Sequence, residues 1–347
     1  MAETTEESVN KAGTETAETK ETVGTVPAEP AVKKETKRSG GIRPAETVRQ
    51  SFVVMKNEIK KFFSGKRMLV FSLILAAIIF VIAVAPYLVG SEAKPFMFVA
   101  VASLVVLMAS TLFASICIVS EYEERTALIV FTRPISKVSI FTGKLLACLL
   151  VTIGFTFLYY LVAILVGLLV EQSFTADMLV SFGLACAYAF ATTGIAMLVS
   201  SLLKKASTST IITFVILAVI FMALSLVLNA ASVDTSWMLY DASASIENAS
   251  EGYRDFTNET LDELASMLSN PESFFKQPKS VWEGILIADG YDPVVFVDEV
   301  KKIWGMGGDF SLGQVNEPDY LHDTLVMIIW GLVALVAAFV MFIRREF

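Results

Sequence analysis

Six stretches without a single Asp, Glu, Lys or Arg constrain this chain more than any other feature. They cover residues 68–89, 96–119, 145–170, 178–203, 206–230 and 325–343. A helix of about 20 apolar residues crosses ~30 Å of hydrocarbon. Only helices and closed barrels satisfy their backbone polar groups there. Barrel strands alternate apolar and polar residues over about 10 positions, whereas these runs are continuously apolar. The expected fold is an all-α membrane protein with six transmembrane helices. Charged residues are 18% of the chain, against about 25% in ordinary soluble domains. That deficit falls in the six runs, which excludes a soluble globular enzyme, a disordered chain and a collagen-like fibre.

The charges between the runs divide the rest of the sequence. Residues 1–43 are rich in Thr, Glu, Lys and Ala and hold no aromatic residue. They read as a disordered cytoplasmic tail without the apolar core of a signal peptide. In residues 46–66, Val48, Phe52, Met55, Ile59, Phe62 and Phe63 fall on one helical stripe, flanked or opposed by Arg49, Lys56, Lys60 and Lys61. A basic amphipathic helix before a span reads as an interfacial helix lying on membrane lipid. Of the 27 Lys and Arg, 21 fall on one side of a six-span topology. Both termini are therefore expected in the cytoplasm. Residues 231–322 form an acidic segment on the other side, expected to be a small, mostly helical cap. Helices are expected after Thr257, at Pro278 and at Pro293, the last ended by Gly305, Gly307 and Gly308. The expected organisation is a tail (1–43), an interfacial helix with spans one to five (44–230), the extracytoplasmic cap (231–322), and span six with the C-terminus (323–347). Two sequons, at Asn248 and Asn258, matter only in a host that glycosylates.

No catalytic constellation is recognisable. Cys117, Cys148 and Cys186 lie in apolar runs and read as packing residues. His322 is the single histidine and has no ligand-spaced neighbour, so no metal site is expected. Gly65-Lys66 and Gly143-Lys144 lack the spacing of a phosphate-cradling loop. Spans without ionisable groups argue against a proton- or sodium-driven transporter. Ser103, Ser110, Thr111, Thr152, Thr156, Thr192 and Thr193 read first as groups that hydrogen-bond between helices. Gly183, Ala187 and Ala191, with Gly194 close by, form a ladder of small residues in the fourth run. It suits either packing within one subunit or a close-packed moving interface.

The polar stretch 120–137 is the most informative. Ser120 and Glu123 have capping-box spacing, and Glu121, Glu123 and Glu124 would sit in a first helical turn, where the dipole favours carboxylates. Pro134 would end such a helix, and its later part, Leu128 to Phe131, is apolar. A short helix, charged at one end and apolar at the other, reads either as a stiff linker or as a docking element for a partner.

Here the sequence resembles a known family. Ser120, Glu121, Thr126, Leu128, Arg133, Pro134, Ser136, Lys137, Gly143 and Lys144 match the conserved cytoplasmic segment of ABC-2-type transporter permeases. Arg125 stands where that family often has Gly. The helix ending Phe62-Phe63-Ser64-Gly65-Lys66-Arg67 and the C-terminal Phe342 to Phe347 are also similar to it. The long cap is most like the copper-enzyme-maturation and sodium-efflux permease group. The resemblance implies the membrane-spanning permease subunit of an ATP-driven exporter in the plasma membrane. It implies a partner ATP-binding cassette ATPase that holds ATP and Mg, with no cofactor on this chain. It also implies a second permease copy, identical or related. Coupling to the ATPase is implied for Glu121, Glu123, Glu124, Arg125, Thr126, Arg133 and Pro134. No nucleic-acid partner is expected. Two alternatives are a non-transport membrane scaffold whose acidic cap binds an external partner, and an intramembrane enzyme, which the single histidine makes remote.

Overall fold

Apolar runs bounded by charge fold as helices, and the computed structural model places one membrane-length helical segment on each of the six. It describes residues 44–88, 90, 93–123, 136–170, 176–231, 233–269 and 317–344. Among these residues the secondary structure is helical, with no strand. Helix α1 is Pro44–Ser64 and α2 is Lys66–Leu88. The second span is built from α3, Pro95–Val99, and α4, Ala102–Phe113. Turns over 114–118 lead to α5, Val119–Glu123. Helix α6, Lys137–Val170, has 34 residues, about 51 Å at 1.5 Å per residue. That exceeds the hydrocarbon thickness, so one end of α6 extends past it. Then come α7, Asp177–Leu202, and the fifth span, where a π-helical stretch Val215–Ile220 separates α8, Ala206–Phe214, from α9, Phe221–Ala230. Helices α10, Leu239–Asn248, and α11, Glu251–Ser269, precede the sixth span, α12, Tyr320–Arg344.

The six segments long and apolar enough to cross a membrane differ in how they are used. The first span has a mean hydropathy of 3.1 and is 11% buried, whereas the fourth, α7, has 1.8 and is 67% buried. A helix facing lipid must be apolar all round. A central helix can carry small and hydroxyl residues because protein covers it. The small-residue ladder accordingly splits. Ala185, Ala189, Ala191 and Ala196 are buried, while a Cβ on Gly183 would meet nothing within 4 Å. A Cβ on Gly194 would lie 2.8 Å from the Gly331 carbonyl oxygen of α12. The two glycines let these backbones touch, and α7 packs along α12 there.

Four of the seven span hydroxyls singled out in the sequence bond to their own helix rather than to a neighbour. Ser110, Thr111, Thr156 and Thr192 donate to carbonyls three or four residues back. Ser103 is different: it reaches Glu247 Oε1 at 2.7 Å and so ties the second span to α10. Three other hydroxyls, one of them backed by Tyr160, pin α10 across the acidic end of the bundle. Ser181 donates to Ile246 O (2.6 Å), Tyr160 shares a 2.6 Å bond with Ser181, Ser225 donates to Asp241 (2.7 Å), and Ser245 donates to Asp323. Helix α11 starts at Glu251 rather than after Thr257. Thr257 fits inside it because its hydroxyl returns to Tyr253 O at 2.8 Å. The tail 1–43 and the helices expected at Pro278 and Pro293 lie outside the described residues.

Candidate functional site

At the end of the bundle that carries α1 and the C-terminal turns of α12, three helices converge on one buried lysine. Gly143 and Lys144 explain how. A Cβ on Gly143 would sit 2.7 Å from Ser51 O and 2.7 Å from Val54 Cβ, so only glycine lets α1 lie this close to α6. Ser51 and Thr142 share a 2.7 Å hydrogen bond across that contact. Ser139 donates to Thr47 O and Gln50 Oε1, each at 3.2 Å. One face of α1, with Ser51, Glu58 and Phe62, is therefore buried. Val48, Phe52 and Phe63 remain more than half exposed, beside Lys56 and Lys60. The apolar stripe read from the sequence is thus only partly free. The polar face next to it carries the contact with α6, and its Ser51 and Glu58 gave no sequence signal of their own.

Lys144 is 1% exposed. Its Nζ lies 2.6 Å from Glu58 Oε1 of α1 and 2.7 Å from Glu121 Oε1 of α5, and it donates to Cys117 O at 2.9 Å. An ammonium has three protons, and each has an acceptor. Glu58 and Glu121 are 9% and 7% exposed. The expectation that the span helices hold no ionisable group is corrected here. Helix α6 begins at Lys137, which places Lys144 two turns inside it, and a buried charge persists there because it is fully paired.

Helix α5 is fixed at its base by further polar contacts. Ser200 of α7 accepts the backbone N–H groups of Ile118 and Val119 at 3.1 and 3.0 Å. Glu123 Oε2 accepts from Ala206 N, at the start of α8, at 2.8 Å. The capping-box reading of Ser120 and Glu123 is therefore not what the fold uses. Ser120 is already helical and receives Lys61 Nζ at 3.5 Å, while Glu123 caps a different helix. Just inward, Ser209 donates to Ser115 O at 2.5 Å, and Ser115 shares a 3.0 Å bond with Thr210. The first of these satisfies one carbonyl of the irregular backbone at 114–118.

Of the residues expected to couple to a partner, Glu121 is turned inward onto Lys144, and Glu123 is exposed at the α5–α8 junction. Glu124, Arg125, Thr126, Arg133 and Pro134 lie outside the described residues. Among the described residues no cluster of His, Cys, Asp or Glu is arranged to hold a metal. Cys117 and Cys148 are buried free thiols. The arrangement is a mechanical junction, in which a short helix is tied by ionic, backbone and side-chain bonds to α1, α6, α7 and α8.

In comparison with known proteins, the family described as "ABC-2 family transporter protein" matches residues 52–241. This stretch contains α5, Lys144, most of α1 with Glu58, and spans one to five. No curated protein matches the chain.

Proposed function

Because the chain belongs to the ABC-2 family of transporter proteins, and is thus a membrane permease component of an ABC transporter, we propose that it couples ATP hydrolysis on a separate ATPase subunit to export of a substrate across the plasma membrane. The observation that carries this reading is the anchoring of α5. Its Glu121 reaches Lys144 of α6 and its Glu123 caps α8, so a push on α5 would be passed to the spans. ATP and Mg belong to the partner in this scheme, and this chain supplies no cofactor site. Two permease copies, identical or related, would face an ATPase dimer. Glu121, Glu123, Glu124, Arg125, Thr126, Arg133 and Pro134 form the coupling segment. Glu121 and Glu123 hold its base. The exposed Val48, Phe52 and Phe63 beside Lys56 and Lys60 suit contact with anionic lipid, which supports a cytoplasmic position for α1 in this scheme.

The test is purification of the tagged full chain from its native membrane in mild detergent, with ATP hydrolysis measured on the eluate. A stoichiometric ATP-binding subunit is expected, and it should be lost when residues 124–134 are replaced. A clean preparation without an ATP-binding subunit, from cells that express the neighbouring genes, sinks the reading.

A further inference from the structure

Apart from one long contact, Lys61 Nζ of α1 on Ser120 Oγ of α5 at 3.5 Å, the polar bonds around Lys144 divide the helices at this end into two groups. Helices α1 and α6 are joined by Ser51–Thr142, by Ser139 on Thr47 and Gln50, and by the close approach at Gly143. None of these bonds involves α5. Helix α5 is joined to α7 through Ser200 and to α8 through Glu123. None of those bonds involves α1 or α6. Lys144 stands on the seam with its short ionic contacts, and the longer Lys61–Ser120 bond beside it would part along with Glu121. Glu58 comes from the first group, and Glu121 and the Cys117 carbonyl come from the second.

We propose that Lys144 is the release point of α5: in the transport cycle Glu121 parts from Lys144 while Glu58 keeps hold of it, so that α5, α7 and α8 shift together against a fixed α1–α6 pair. This rests on the permease reading above. The two carboxylates are positioning residues with opposite parts. An unpaired buried ammonium is very costly, and a single close carboxylate removes most of that cost. Glu58 therefore makes release affordable to the cycle, and Glu121 sets how tightly the resting state is latched. A seam with only one carboxylate would either stay shut or never latch. Release of α5 limits the rate in this scheme.

The two roles separate experimentally without knowledge of the cargo. ATP hydrolysis is measured on the intact complex of the full chain with its ATPase, for wild type, Glu58→Gln and Glu121→Gln. An amide in place of one carboxylate weakens one charge-assisted bond, enough for a change of about tenfold in rate. Glu121→Gln is expected to hydrolyse ATP faster than wild type and Glu58→Gln slower. A purely structural ion cluster predicts that both variants change in the same direction. That result, or no change in either, overturns the proposal while leaving the permease reading intact. A wild-type preparation with no ATPase removes both. If an amide variant is not recovered from membranes, Glu58→Asp and Glu121→Asp replace the pair. They keep the charge and lengthen the contact, and they are expected to diverge in the same two directions by a smaller factor.

Discussion

Lys144 shows how far a single side chain departs from what its type suggests. A lysine two turns into an apolar helix is tolerable only with every proton placed, and here the acceptors come from residues 58, 117 and 121. Lys144→Met alone strands two buried carboxylates and is expected to cost about 3–5 kcal/mol. Lys144→Met with Glu58→Gln and Glu121→Gln should recover most of that loss. Thermal unfolding in detergent of the single and triple variants reads the difference. At the opposite end, Glu247 carries a different kind of strain. Burial lifts its carboxyl above the ordinary range, against the pull of hydrogen bonds from Ser103 and Tyr253. A raised folded value means that the protonated form is the one the fold favours. The stability it contributes is complete below the ordinary Glu value of about 4.3 and is lost as pH rises through the higher folded value. The difference in melting temperature between Glu247→Gln and wild type should therefore grow in favour of Gln as pH rises across that window. A constant difference would show that Glu247 does not titrate there.

Between elements, the glycines mark where helices touch. Gly194→Ala would push its methyl into the Gly331 backbone, which cannot move aside as a side-chain tip can. It is expected to cost about 1–3 kcal/mol as α7 and α12 separate. Gly183→Ala, in the same ladder but facing open space, should be neutral or slightly stabilising through helix propensity. Unfolding of the two variants side by side checks the contrast. This is also where the sequence stops being readable. The ladder was visible as small residues at i+4 spacing, but nothing in α7 tells Gly194 from Gly183, because the difference lies in a helix 137 positions further on. Spans were legible for the opposite reason. Each is written in its own contiguous residues, since lipid asks for apolarity and nothing more. The use of Glu123 as a cap for α8, 83 residues away, and of Glu58 as a partner for Lys144, 86 residues away, could not be read locally. A carboxylate on an amphipathic helix looks the same whether it meets water or a buried ammonium.

For the molecule as a whole, an even number of spans and the excess of Lys and Arg on one side lead to the expectation that both chain ends are cytoplasmic. Reporter fusions at residue 43 and after residue 347 should both report the cytoplasmic compartment. A fusion at residue 233, between α9 and α10, should report the other one. Opposite compartments for the two ends would remove one span. The contrast between the exposed first span and the enclosed fourth also bears on how the protein is made. Helix α2 is at home in lipid with few neighbours and can settle as soon as it is inserted. Helix α7 has hydroxyls and glycines that lipid does not welcome, and the wall it needs is α12, the last of the six to be synthesised. Until that helix arrives, the centre of the bundle is its least finished part. Losing the sixth span would then not trim an edge of the protein but leave its middle open, a fault that membrane quality control could detect in otherwise fully inserted chains.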